Sequence, residues 1–137
     1  MTASNEAKLD VIIVGAGFAG LYLLQKFRQI GLSARAFEAG DDVGGTWYWN
    51  RYPGARCDIE SIDYSFSFDP QLEQEWEWSE KYATQPEILR YAQHVAERYD
   101  LRRDITFSAR VKEAVWDESA SRWAVTTENC ETLRSRF

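Results

Sequence analysis

Six residues near the start of the chain, Gly15-Ala16-Gly17-Phe18-Ala19-Gly20, spell GxGxxG, a spacing suited to backbone contact with a diphosphate. The first glycine permits a tight turn, the second removes the side chain that would keep a pyrophosphate from the backbone, and the third lets a helix pack closely on a strand. The helix that must follow adds unpaired N–H groups and a partial positive charge at its N-terminus. Glu38 stands 18 residues after Gly20, where a carboxylate accepts hydrogen bonds from the ribose hydroxyls of a dinucleotide. Three glycines alone would be weak evidence, because any turn-rich sequence can supply them. NAD and FAD sites share the fingerprint, so the first motif does not choose between them. A second pair, Gly44-Gly45, precedes Thr46-Trp47 and allows another close approach of backbone to an extended cofactor.

The motif requires particular elements around it, and the flanking sequence supplies them. Leu9 to Val14 is a short apolar, β-branched run that suits a strand buried on both faces of a parallel sheet. From Phe18 to Ile30, Ala19, Leu23, Phe27 and Ile30 recur at helical spacing, and Gly31 sits where a left-handed cap is wanted. Ser33 to Glu38 reads as a second strand, completing strand, helix and strand in the length of one βαβ unit. Residues 39–58 have no usable period and carry Trp47, Tyr48, Trp49 and Tyr52, and a long structured loop of this kind is usually functional. In 59–78, Tyr64, Phe66 and Phe68 alternate as in a strand, but Pro70 and acidic residues interrupt them, so the structure there stays open. Thr84 with Glu87 has capping-box spacing and predicts a helix over 85–99 with Ile88, Ala92, Val95 and Tyr99 on its apolar face. Ile105, Phe107, Ala109 and Val111 alternate as one strand leading into a meander through 115–117, 123–127 and a strand starting near Thr132.

Composition narrows the partners. The 137 residues, 45% apolar, suffice for one compact domain with a core and fall short of two full cofactor-binding domains. A net charge of −6 argues against nucleic acid and anionic membrane surfaces, leaving small molecules as the expected partners. The polar start, Met1 to Asp10, resembles no signal peptide, and no stretch approaches the ~20 apolar residues of a membrane span, so a cytoplasmic location is expected. Cys57 and Cys130 lack CxxC spacing or a companion His cluster, which predicts two reduced thiols and no metal site. His94, between Arg90 and Arg98, is expected to be a solvated surface residue, and Trp76, Trp78, Trp116 and Trp123 are expected to be core packing.

The stretch Asp42-Val43-Gly44-Gly45-Thr46-Trp47-Tyr48-Trp49-Asn50-Arg51-Tyr52-Pro53-Gly54-Ala55-Arg56-Cys57-Asp58-Ile59-Glu60-Ser61 resembles the corresponding segment of Baeyer-Villiger flavin monooxygenases. Arg56-Cys57-Asp58 is similar to the phenylacetone and steroid monooxygenase branch, and the likeness continues through Tyr82-Ala83-Thr84-Gln85-Pro86-Glu87-Ile88-Leu89. The resemblance implies a Rossmann-like α/β FAD-binding domain, a βαβ unit plus a β-meander, with FAD as cofactor and NADPH serving the complete enzyme. The substrates implied are a small-molecule ketone and oxygen. By the same resemblance Gly15, Gly17, Ala19 and Gly20 would hold the pyrophosphate, Glu38 the ribose, and the backbone of Val111 the adenine. Gly45 belongs to the second close approach, and Thr46, Trp47, Tyr48 and Trp49 match the segment lying along the flavin half. Asp58 and Tyr64 match positions near the isoalloxazine, and Arg56, Cys57 and Asp58 match a stretch that also touches the nicotinamide cofactor.

Asp58 is the one titratable group with an implied mechanistic part, supporting an arginine that stabilises negative charge on the reacting flavin. That arginine, a second GxGxxG for NADPH and a closing FAD strand are not found in these residues. The chain therefore reads as the N-terminal portion of an FAD-binding domain, incomplete at its C-terminus and without an NADPH-binding domain. A stand-alone flavin- or nucleotide-binding module, completed by another chain or acting alone, is the reading from a different class. A flavin-dependent N- or S-oxygenase is a third, against which the Arg51 to Arg56 context weighs. Asn129-Cys130 departs from the Asn-Gly that a hairpin there would favour.

Overall fold

The computed structural model describes residues 9–137. Strand β1 (Val11–Val14) leads through the glycine turn into helix α1 (Phe18–Gln29), and the chain returns in β2 (Ala34–Phe37), parallel to β1 with Val11 opposite Ala34. Ile30 caps α1 and Gly31 takes φ +78°, the left-handed exit expected from the sequence. The buried stripe of α1 is rotated from the expected one: Gly20, Leu21 and Leu24 are buried, Leu23 and Phe27 flank them, and Ala19 and Ile30 are exposed. Gly20 fixes that rotation, since a Cβ there would lie 2.1 Å from the Gly15 carbonyl oxygen.

Helix α2 (Thr46–Trp49) is a single turn that follows the second glycine pair. The segment left open in the sequence forms turns and then α3 (Pro70–Glu75), whose cap, Asp69, accepts a hydrogen bond from the Gln71 N–H at 2.9 Å. Helix α4 (Gln85–Arg98) packs Ile88, Tyr91, Ala92, Val95 and Ala96 into the core, each at most 1% exposed. Each large apolar side chain so buried contributes roughly 1.5–3 kcal/mol, which fixes α4 against α1 and the sheet. The expected capping box does not form. Thr84 makes no side-chain cap, and the Glu87 carboxylate instead accepts from Ser79 N–H at 2.8 Å and Ser79 Oγ at 2.7 Å.

The single strand expected over 105–111 is broken. Strand β3 (Ile105–Thr106) is the third strand of the parallel sheet, ordered β1-β2-β3, and Ser108 at φ +50° turns the chain out of it. An antiparallel meander follows as expected: β4 (Val111–Asp117), β5 (Arg122–Thr127) and β6 (Thr132–Ser135). Trp116 and Trp123 are no core residues; they face each other across β4 and β5, 42% and 38% exposed, in an edge-on pair. Trp76 and Trp78 do pack inward, against Tyr91. The tail of the meander returns to the parallel sheet: Ile12 N–H donates to the Phe137 carbonyl at 2.9 Å, on the side of β1 away from β2. Phe37, Ala109 and Val125 form the small core where the two sheets meet.

Candidate functional site

The two glycine turns lie against each other. Gly15, at φ +99°, ends β1, and Gly17 caps α1 with no acidic side chain in the helix's first turn. The first turn of α1 therefore carries no acidic side chain of its own to answer its orphan amides and positive dipole. Gly45, at φ +55°, sits opposite: a Cβ on Gly17 would come within 3.3 Å of Gly45 Cα, and a Cβ on Gly45 within 2.8 Å of Gly17 Cα. The Gly44 N–H donates to the Ala16 carbonyl at 3.0 Å, joining the turns by a backbone bond.

Two adjoining clefts open from this contact. One, of about 280 Å³, runs over Gly15, Gly17, Ala19, Gly20, Gly45 and Thr46 to Trp47 and Tyr64. The other, of about 410 Å³, shares Gly15, Gly17, Gly45 and Thr46 and runs the opposite way to Glu38, Trp49, Arg110 and Val111. Together they make an elongated groove with a helix N-terminus at its middle and a carboxylate toward one end. A larger cleft of about 830 Å³ lies elsewhere, lined by Glu60, Leu72, Trp76, Trp78 and Lys81, and holds none of the glycines. Size is a poorer guide here than the chemistry of the walls.

Glu38 is 4% exposed and fully engaged by backbone: Oε2 accepts from the Ala16 N–H and Oε1 from the Gly40 N–H, both at 2.7 Å. A carboxylate oxygen can accept more than one hydrogen bond, so Glu38 ties down the glycine turn with lone pairs to spare. At the other end the Trp47 Nε1–H donates to Tyr64 Oη at 2.9 Å, and Tyr64 packs on Phe18 with ring centroids 5.1 Å apart. Gly15, Gly17, Ala19, Gly20, Glu38, Gly45, Thr46, Trp47, Trp49, Tyr64 and Val111 are thus all brought to the groove. Sequence reasoning missed Arg110 and Asn50 on its wall, since neither belongs to a recognisable spacing.

Four expected residues stand apart from the groove walls. Tyr48 turns outward, its hydroxyl donating to Asp41 at 2.5 Å and its ring filling the space beside Gly40. Arg56 bonds the Glu80 carboxylate at 2.8 Å and the Tyr82 carbonyl at 3.0 Å. Cys57 is buried with Trp47, Ala83, Ile88 and Leu89, and Asp58 is exposed. Both cysteines are free thiols, and no metal-ligating cluster occurs among the described residues. His94 is not the freely solvated residue expected: its ring packs on Trp76, and its buried Nε2 lies 3.8 Å from Glu75 Oε2.

An elongated diphosphate-linked dinucleotide fits this donor set. The helix amides and side-chain-free glycines suit its pyrophosphate, a buried carboxylate suits one ribose, and aromatic rings wall the far end. The sequence profile of the NAD(P)-binding Rossmann-like domain matches residues 13–76. The chain is 44% identical over 138 aligned positions to a phenazine N-monooxygenase of Lysobacter antibioticus, covering 100% of this chain and 26% of that protein. It is 46% identical to an acetone monooxygenase (methyl acetate-forming) of Gordonia sp. (strain TY-5), covering 97% of this chain and 25% of that one. Among solved structures, an oxidized steroid monooxygenase bound to NADP superposes with a TM-score of 0.93 and 64% identity, over 96% of this chain and 25% of its own. The chain spans about a quarter of the length of these relatives. The βαβ unit, the meander and this matched length together make the chain a homologue of the N-terminal region of Baeyer-Villiger and related flavin monooxygenases.

Proposed function

We propose that the chain is the FAD-binding part of an NADPH-dependent flavoprotein monooxygenase that inserts oxygen beside a ketone carbonyl, acting in the cytoplasm. The observation that carries this reading is the contact of Gly17 with Gly45, which turns two glycine loops into one groove over the α1 N-terminus. Gly15, Gly17, Ala19 and Gly20 would take the pyrophosphate, Glu38 a ribose, the Val111 backbone the adenine, and Thr46, Trp47 and Tyr64 the flavin side; Trp49, expected along the flavin, lines the Glu38 and Val111 cleft instead. A bound FAD would supply the redox chemistry, with NADPH as reductant and O2 as oxidant, one oxygen atom going to the substrate and the other to water. The chain's own residues bind and orient it: Glu38 fixes the turn that meets the phosphates, and the Trp47–Tyr64 bond holds the far wall.

The test of cofactor choice is a titration of the chain with FAD and, separately, NADPH, followed by flavin fluorescence quenching and calorimetry. FAD should bind and NADPH should not; NADPH binding without FAD binding would overturn the reading. Because one relative is an N-monooxygenase, oxygenation of an aromatic nitrogen is the second reaction to assay in any complete protein containing this chain. Flavin binding with neither activity there would favour the binding-module reading.

A further inference from the structure

The second glycine turn is held from behind by one helix. Gln93 Nε2 donates to Asp42 Oδ2 at 2.8 Å, Leu89 lies under Gly44 so that a Cβ there would be 2.6 Å from its Cδ1, and Gln85 Nε2 donates to the Trp47 carbonyl at 2.5 Å. Residues 85, 89 and 93 are four apart and form one stripe on α4. The contacts run in reverse order along the turn, 47, 44 and 42, so the stripe lies antiparallel to it. Just beyond the helix the Arg102 guanidinium pairs with the other oxygen of Asp42. None of these four residues lines the groove.

The polarity of the stripe is informative. Gln85 is 7% exposed, and a helix selected for packing alone would place an apolar residue there, since a buried amide is tolerated only when it is hydrogen-bonded. Its donor goes to backbone of the segment that carries the site. Turn 42–47 in its turn sets how closely Gly45 meets Gly17, through the bond from Gly44 N–H to Ala16. We infer that Gln85, Leu89, Gln93 and Arg102 are positioning residues that set the spacing of the two glycine turns, and thereby FAD affinity, without touching the cofactor. The inference rests on the FAD reading given above. Its physical basis is pre-organisation: a loop that spends part of its time displaced lowers apparent affinity by the fraction of chains that are competent.

The experiment compares wild type with Gln93→Leu, Arg102→Gln and Arg102→Lys in the full chain. It reads FAD dissociation constants, apo-protein melting, and amide exchange at Gly44 against that of core amides in β1 and α4. Gln93→Leu and Arg102→Gln should weaken FAD roughly tenfold and speed Gly44 exchange selectively, while Arg102→Lys, which keeps a cation beside Asp42, retains most of the affinity. Gln93 is only half-buried, so its variant should fold even if Arg102→Gln does not. Unchanged FAD affinity in Gln93→Leu, or Gly44 exchange that merely tracks global unfolding, would overturn the proposal and leave the FAD reading standing. Wild type that binds no FAD would overturn both.

Discussion

Gly17 and Gly45 have room for each other's backbone and for little else. Gly17 has an ordinary φ of −80°, so valine there meets no backbone strain, and its methyl groups project from a Cβ already 3.3 Å from Gly45 Cα. Gly17→Val should therefore lose roughly 100-fold or more in FAD affinity, the cost of overpacking at a contact. The same overpacking, typically ~1–3 kcal/mol, should also lower the melting temperature of the apo-protein, and a purified variant with undiminished yellow flavin absorbance would contradict this. Cys130 presents the opposite case, a side chain where glycine belongs: it sits at φ +63° in the β5–β6 turn, exposed, with its N–H on the Thr127 carbonyl at 3.0 Å. Cys130→Gly should raise stability by about 0.5–1 kcal/mol, seen as a higher melting temperature with FAD affinity unchanged. Glycines and Glu38 were legible in the sequence because backbone geometry admits few substitutes at those places. Arg110 and the unexpected partner of Glu87 were not, because only the tertiary fold brings Ser79 to that carboxylate and Arg110 to the groove.

At the scale of elements, α1 and α4 were readable from apolar period and α1 from its glycine exit, although the α1 stripe is rotated and the Thr84–Glu87 box does not cap α4, whereas the break between β3 and β4 depends on one positive φ at Ser108 that no spacing announces. The 42–47 turn is the element on which the site depends most, and its anchor titrates. Burial would raise the Asp42 carboxyl, but hydrogen bonds from Arg102, its neighbour's N–H at Val43 and Gln93 outweigh that and hold it below its ordinary value of 3.8. A carboxyl depressed in the folded state contributes stability at pH above its unfolded value, and that contribution is lost as pH falls through the folded one. Asp42→Asn should cost about 1–2 kcal/mol at neutral pH. The gap between variant and wild type should close as pH drops below 3.8, which chemical denaturation at a series of pH values would measure. A gap that stayed constant down to strong acid would show that the charge on Asp42 does not hold the turn.

For the whole molecule, among the described residues the side of β1 away from β2 is paired through Leu9, Asp10 and Ile12 to residues 135–137, and Val14 beyond them is 67% exposed. Such an edge can recruit other strands, and domain stability of only ~5–15 kcal/mol leaves little reserve. Ligand linkage should then be conspicuous. FAD at 100 times its dissociation constant adds about 2.7 kcal/mol, or roughly 10 °C in the melting temperature of a chain this size. Catalysis requires more than the groove. GxGxxG occurs once in the 137 residues, Asp58 is exposed, and the guanidinium of the nearby Arg56 is engaged by Glu80 and the Tyr82 carbonyl. Residues 1–137 should therefore bind FAD and gain thermal stability from it while consuming no NADPH above background in the presence of a ketone. No thermal shift with saturating FAD would refute the binding half, and ester formed from a ketone by these residues alone would refute the catalytic half.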